Sequence, residues 1–305
     1  MSSLLDAQQT ADRLPWPALV DEITRLLVDE SVQVSPRLVQ ALPGGGSLFV
    51  MPALDSRIAI AKLITFTPRN ANGNLPTIQG DVVVFDVSSG TRTLVLDGPT
   101  VTARRTAAVS VLAAQRLAPN TRGPLLIVGA GVQGNAHMEA FASVLNVTEI
   151  FIASRSAASA QSLLHKAKFM GLKATWVENP DAALAHCPLA VTCTPAHAIV
   201  LGALPRHDAF ICAVGAFTPL MVELGPDLCR HFAARGSVFV DSADAAHEAG
   251  DLLQAGLDPA AFTTLRDVVR EGTKNPSGPV LFKSCGWAGW DLAAARVATS
   301  ALPPP

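Results

Sequence analysis

Leu125-Leu126-Ile127-Val128 runs directly into Gly129-Ala130-Gly131-Val132-Gln133-Gly134, and the stretch from Val132 to Leu145 then reads as a helix. A strand, a glycine turn and a helix in immediate succession constrain the fold more than anything else in this chain, because together they open a βαβ unit of the G-x-G-x-x-G type. A glycine hexapeptide alone is a weak signal. Its meaning comes from the flanking strand and helix, and from a second strand that begins about twenty residues further on. In that setting Gly129 permits the tight turn, Gly131 lets the backbone approach a pyrophosphate, and Gly134 lets helix and strand pack closely. The first N–H groups of the helix, with its dipole, would face the phosphates. The expectation is a Rossmann domain holding a dinucleotide, with Gly129, Gly131, Val132 and Gln133 in contact with it.

The rest of the second half agrees. Apolar runs at Ile150–Ala153, Ala174–Val177, Ala190–Cys193, Phe210–Val214 and Val238–Val240 alternate with helical patterns such as Ala157–Met170, as in a parallel sheet covered on both faces. The first part reads differently: a helix at Trp16–Glu30, then strands at Arg37–Ala41, Ser47–Ala53, Ile58–Phe66, Gln79–Asp86 and Thr93–Asp97, several separated by turn residues. Thr100–Leu117 is a long helix with Thr100 or Thr102 as its N-cap. A chain of 305 residues has room for two domains of roughly 100–200 residues each. The predicted class is α/β: a doubly wound parallel Rossmann sheet over residues 119–287, entered through Pro119–Pro124, plus an α+β domain over residues 1–118. A C-terminal helix within 288–305, with its body at Trp290–Ala298, is expected to join the first domain. Pro303-Pro304-Pro305 is expected to be loose.

Cofactor choice in such a domain is read at the end of its second strand, where NAD enzymes usually present Asp or Glu to the ribose. Here Ala153-Ser154-Arg155-Ser156 carries no carboxylate. Arg155 between two hydroxyls suits a 2′-phosphate through charge-assisted hydrogen bonds. NADPH is therefore the expected cofactor and NADH the alternative, with Ser154, Arg155 and Ser156 forming the phosphate site. The other reading of Arg155 is a solvated loop cation.

Composition excludes several partners. With 23 Lys+Arg against 25 Asp+Glu and no basic run, the chain has no electrostatic footprint for nucleic acid or anionic membrane. No stretch reaches the ~18 continuous apolar residues of a membrane helix. The first residues, with Asp6 and Asp12, do not resemble a signal peptide. The 5 cysteines lack a C-x-x-C pair and the 7 histidines lack ligand spacing, so reduced thiols, a cytoplasmic location and no metal are expected. At 49% hydrophobic and 16% charged, the chain is expected to bind small molecules and copies of itself.

Several blocks together resemble the ornithine cyclodeaminase/mu-crystallin family over nearly the whole length: Pro36-Arg37, Lys62, Leu75-Pro76-Thr77-Ile78-Gln79-Gly80 and Thr102-Ala103-Arg104-Arg105-Thr106-Ala107-Ala108. The resemblance continues through the glycine turn, Ala213-Val214-Gly215-Ala216, and Lys283-Ser284-Cys285-Gly286 followed by Asp291. It implies that the N-terminal domain binds substrate and dimerises, that Arg37, Lys62 and Arg105 surround a substrate carboxylate, and that Lys62 and Arg105 serve catalysis. It also places Thr106, Thr194, Val214 and Ser284 at the cofactor, and Phe217 and Asp291 at the substrate. Read without the resemblance, Lys62 inside the apolar Ile58–Phe66 strand is either a buried amine that needs an anionic partner or an outward lysine. Asp291 either bonds the substrate or caps the final helix. His137 and His197 are proton-donor candidates, though a lone histidine there is more often structural.

The cyclodeaminases of the family carry an Asp general base after their Val-Gly-Gly turn. This chain reads Val214-Gly215-Ala216-Phe217, and a phenyl ring cannot accept a proton. The departure points instead to the family's Δ1-pyrroline-2-carboxylate (ketimine) reductases: an NADPH-dependent imine reduction giving proline or pipecolate, with Phe217 as an apolar wall. Two other readings stay open, an ornithine cyclodeaminase or alanine-dehydrogenase-like oxidoreductase, and a mu-crystallin-like NADPH-dependent ligand-binding protein.

Overall fold

A computed structural model describes residues 3–73, 75–195, 197–272 and 276–300, with the side chains at 71, 72 and 197 set aside. The chain forms two units, Met1–Arg105 with Trp287–Pro305, and Thr106–Gly286. The division therefore falls between Arg105 and Thr106 rather than at residue 118. The terminal prolines lie outside the described residues.

The first unit contains β1 (Ser3–Leu4), α1 (Ala7–Asp12), α2 (Trp16–Val28), β2 (Gln33–Val34), β3 (Leu38–Ala41), β4 (Ser47–Leu54), β5 (Ile58–Phe66), β6 (Ile78–Asp86) and β7 (Arg92–Asp97). These strands form one mixed sheet in the order β1-β7-β6-β5-β4-β2, with β3 also paired to β4. Among the described residues of this sheet only the β1–β7 pairing is parallel. Alternation along β5 buries Ile60, Lys62 and Ile64 on one face and exposes Leu63 on the other. The long helix α3 (Gly98–Leu117) starts in this unit. Neither Thr100 nor Thr102 caps it: Thr100 donates its N–H to Asp97 Oδ1 at 2.8 Å, and the Thr102 hydroxyl donates back to the Gly98 carbonyl at 2.8 Å. An acidic side chain at the strand end suits the helix dipole better than a hydroxyl.

The second unit holds β8 (Leu125–Val128), α4 (Val132–Leu145), β9 (Glu149–Ala153), α5 (Ala157–Phe169), β10 (Lys173–Val177), α6 (Pro180–Leu184), β11 (Leu189–Thr192), β12 (His197–Leu201) and β13 (Phe210–Ala213). It continues with β14 (Val222–Leu224), α7 (Pro226–Arg235), β15 (Ser237–Val240), α8 (Ala245–Glu248), α9 (Gly250–Gln254), β16 (Thr263–Thr264), α10 (Leu265–Glu271) and β17 (Val280–Lys283). Eight strands make an all-parallel sheet in the order β10-β9-β8-β11-β13-β17-β15-β16. Every residue of β8, β11, β13 and β17 is buried, as covered parallel strands require. Strand order reverses between β8 and β11, the switch point at which Rossmann sheets bind ligands outside the strands' carboxyl ends. Sequence reasoning had no strand at β17, which inserts between β13 and β15 and so delivers Lys283 and Ser284 to the middle of the sheet.

All five cysteines belong to this unit, buried and unpaired. Burial pushes the thiols of Cys187, Cys212 and Cys229 up to about 12. The closing helix α11 (Ala288–Ser300) returns to the first unit and packs on α2, β4 and β5. There Arg296 bonds Asp55 at 2.5 Å, Asp29 at 2.6 Å and Glu22 at 3.2 Å.

Candidate active site

In the second unit the glycine turn follows β8, beside the switch point. Gly129 has φ +121°, and a Cβ there would meet the Cys193 carbonyl oxygen at 2.7 Å; a Cβ at Gly134 would meet the Gly129 carbonyl oxygen at 2.0 Å. The fold itself requires both glycines. Gly131 is different, since a Cβ there would meet nothing within 4 Å. Its missing side chain leaves open space at the start of α4, where no side chain caps the helix. A pyrophosphate fits that cradle. Val132 is exposed, and the Gln133 side-chain oxygen is buried without a partner. At the end of β9, Arg155 and Ser156 are exposed and Ser154 is half-buried. The Ser156 hydroxyl caps α5 by accepting from Ser159 N–H, and the Ser154 hydroxyl donates to the Ser156 carbonyl at 2.8 Å.

The ends of β11, β13 and β17 are pinned by buried charges. Glu223, on β14, accepts from Thr194 N–H (2.6 Å) and Thr194 Oγ (2.9 Å) at one carboxylate oxygen, and from Gly215 N–H (2.7 Å) and Thr192 Oγ (2.9 Å) at the other. Burial raises its pKa, which Lys283 and the Thr194 amide oppose. Lys283 pairs with Asp251 at 2.9 Å and donates to the carbonyls of Ala213 and Ala216. Burial works against its charge, but Asp251 prevails and holds it protonated above the ordinary lysine range. Ser284 donates to Asp241 at 2.8 Å, so its hydroxyl is held in place, and Val214 is buried beside the Gly215 turn.

In the first unit, Lys62 is fully buried and donates to Asp291 Oδ1 at 3.0 Å, and Arg105 Nε reaches the same oxygen at 3.3 Å. The anionic partner that a buried Lys62 needed is thus Asp291, and Asp291 pairs with it instead of capping α11. Burial pulls the Lys62 pKa down to about 8; Asp291 opposes this, while Arg105 and Arg37 add to it through repulsion. Arg37, just before β3 and half-buried, is therefore within electrostatic reach. Lys62 and Arg105 share one Asp291 oxygen, and the other Asp291 oxygen is buried without a hydrogen-bond partner. That excess charge and spare acceptor suit an anion carrying a protonated nitrogen.

Of the remaining predicted residues, Thr106 is buried on α3, and Thr194 and Phe217 are half-buried. His137 is buried, with Nδ1 2.7 Å from the Gln133 carbonyl and Nε2 2.9 Å from Ser110 Oγ; burial lowers its pKa to about 4. It is a neutral link between α3 and α4 rather than a proton donor. The His197 side chain lies outside the described residues. Glu223, Asp241 and Asp251 escaped sequence reasoning, although Glu223 between Val222 and Leu224 carries the same signal that singled out Lys62: one charge in an apolar run.

The strand order and the open glycine turn make this a Rossmann-type α/β protein. Within that class the chain belongs to the ornithine cyclodeaminase/mu-crystallin family, whose model matches residues 15–302. It is 38% identical over 302 residues to Δ1-pyrroline-2-carboxylate reductase 2 of Burkholderia ambifaria, covering 97% of this chain and 95% of that one. It is also 38% identical to the Δ1-pyrroline-2-carboxylate/Δ1-piperideine-2-carboxylate reductase of Azospirillum brasilense, covering 98% and 96%. Among solved structures, the Δ1-pyrroline-2-carboxylate reductase of Thermococcus litoralis with NADH and L-proline superposes with a TM-score of 0.88 at 23% identity, covering 97% of this chain and 96% of that one.

Proposed function

We propose that the protein is an NAD(P)H-dependent reductase of cyclic 2-carboxy imines, taking Δ1-pyrroline-2-carboxylate or Δ1-piperideine-2-carboxylate to L-proline or L-pipecolate. The observation that carries this reading is the buried Lys62–Asp291–Arg105 group, with Arg37 in reach and one Asp291 oxygen unengaged. Arg37, Lys62 and Arg105 hold the substrate carboxylate, and the free Asp291 oxygen accepts the N–H of the protonated imine. Phe217 supplies an apolar wall. The names of the relatives at 38% identity support the same substrate class.

Gly129, Gly131, Val132 and Gln133 hold the pyrophosphate; Ser154, Arg155 and Ser156 hold the ribose end; Thr106, Thr194, Val214 and Ser284 complete the cofactor site. Bound reduced cofactor supplies the hydride, and the nitrogen takes its proton from solvent. The cationic Arg155 loop favours NADPH over NADH. Phe217, where cyclodeaminases of the family carry an Asp, disfavours deamination of ornithine.

We further propose a homodimer in the cytoplasm. Leu38, Val50 and Leu63 are paired in register across β3, β4 and β5, and Leu38 and Leu63 are exposed, an apolar row suited to a second copy. Five unpaired cysteines suit a reducing compartment. The decisive experiment follows oxidation of NADPH and of NADH with the five- and six-membered imines from pH 6 to 9. Oxidation with either supports the reading; none with both overturns it, and ammonia release from ornithine with NAD would put a cyclodeaminase in its place.

A further inference from the structure

A dinucleotide lying across the switch point has its pyrophosphate at the turn after β8 and its adenosine half toward β9, where Ser154–Ser156 stand. Its nicotinamide half then falls on the β11 and β13 side, where the chain presents two turns, at Thr194 and at Val214-Gly215-Ala216. These turns are in close contact: a Cβ on Gly215 would lie 2.1 Å from the Thr194 carbonyl oxygen and 2.4 Å from Glu223 Oε1. Neither turn is fixed by the sheet ladder alone. Glu223 joins them, engaging Thr194 with one carboxylate oxygen and Gly215 and Thr192 with the other. Lys283 holds the opposite side of the Gly215 turn through the carbonyls of Ala213 and Ala216, and Asp251 fixes the Glu223 strand by accepting from the N–H groups of Glu223 and Leu224 at 2.6 and 2.9 Å.

We infer that Glu223 is a positioning residue for the nicotinamide half of the dinucleotide, setting the spacing of the Thr194 and Gly215 turns through its four accepted hydrogen bonds. The inference rests on the dinucleotide reading above. Its chemistry is specific to a carboxylate. All four neighbours donate to it, so a glutamine of the same shape must turn its NH2 group toward one backbone N–H, that of Thr194 or of Gly215, losing that bond and pushing that turn away, while the threonine hydroxyl beside it can reverse to accept. The turn after β8 and the Ser154–Ser156 loop have no bond to Glu223 and would be left as they are.

The test compares two nucleotides, NADPH and 2′-phospho-ADP-ribose, which lacks only the nicotinamide. Fluorescence or calorimetric Kd values are measured for wild type and Glu223→Gln. The expected result is 2′-phospho-ADP-ribose binding within about twofold of wild type and NADPH binding at least about tenfold weaker, as the loss of one charge-assisted bond and the repulsion at that turn imply. An unchanged ratio of the two affinities overturns the inference, whether both weaken together or neither moves. Should Glu223→Gln fail to fold, the near-isosteric Thr192→Val removes a single donor from the same carboxylate. Its ratio must shift in the same direction, and an unchanged ratio again overturns the inference. A wild-type protein that binds neither nucleotide, nor NADH, overturns the dinucleotide reading instead.

Discussion

Lys62 Nζ lies 3.0 Å from Asp291 Oδ1, with both side chains fully buried, and Arg105 shares the same oxygen. Because burial brings the Lys62 pKa down to about 8 from 10.5, the amine discharges within reach of a laboratory buffer. KM for the imine is expected to rise toward about tenfold per pH unit above that value. Lys62→Met should show a raised KM without the alkaline limb, and a wild-type KM flat to pH 10 would remove Lys62 from the carboxylate site. The stability sign follows from proton counting. Between about 8 and 10.5 the unfolded chain binds more protons at this residue than the folded one, so its contribution to stability rises with pH through that window.

Gly131 and Gly134 should respond differently to alanine. Gly134→Ala drives a methyl into the Gly129 carbonyl and should lower Tm; Gly131→Ala meets no protein atom and should leave Tm unchanged while weakening NADPH binding. Thermal melts with and without NADPH separate the two, because a ligand stabilises only the fold that binds it. An unaltered NADPH affinity in Gly131→Ala would mean that no pyrophosphate lies there.

Arg155→Asp replaces the proposed phosphate partner by a ribose partner. The ratio of kcat/KM for NADPH over NADH should fall at least about tenfold, the scale expected when a charge-assisted bond to the phosphate gives way to repulsion between two anions. An unchanged ratio would leave Arg155 a surface cation.

Leu63→Glu places a charge on the exposed face of β5, in register with Val50. Sedimentation should show a dimer for wild type and a shift to monomer for the variant, without loss of helical circular dichroism. A wild-type monomer would refute the proposed assembly.

Arg296 faces Asp55, Asp29 and Glu22. Removing it as Arg296→Met leaves Asp55 and Asp29 without their cation, while Glu22 keeps Arg25, and should cost about 3–5 kcal/mol in denaturant unfolding. The Asp29 pKa falls to about 2, chiefly through the Ser31 hydroxyl, then through the Ser31 N–H and Arg296, against the opposing effect of burial, so this acid supports the fold above its ordinary value of 3.8. That support is lost as pH drops from there toward 2. Ser31→Ala should shift acid unfolding of the protein to higher pH, and an unmoved acid midpoint would refute the assignment.

The parts of the fold that sequence revealed are those where a local rule and the tertiary outcome coincide. Leu125–Val128 reads as a covered strand because all four residues are apolar, and Gly129 to Gly134 reads as a tight strand-to-helix turn because sterics leave Gly129 and Gly134 little choice. The unit boundary was hidden because helical character continues across Arg105 and Thr106 with no breaking residue, and β17 because a four-residue run following Gly278-Pro279 gives no sign of inserting between β13 and β15. Lys62 stood out as a charge in an apolar strand, yet its partner Asp291 lies in another element far along the chain, and pairing at that distance leaves no local trace. Glu223 is marked by the same rule, but its four donors come from the ends of other strands, which no local pattern announces.

With every thiol enclosed and held above the range where thiolate forms at neutral pH, the native protein should be inert to maleimide dyes and become labelled only as the second unit opens. The wild-type chain thus carries its own unfolding gauge: the rate of dye incorporation, read without any engineered probe, reports how often the parallel sheet breathes and by how much a bound nucleotide quiets it.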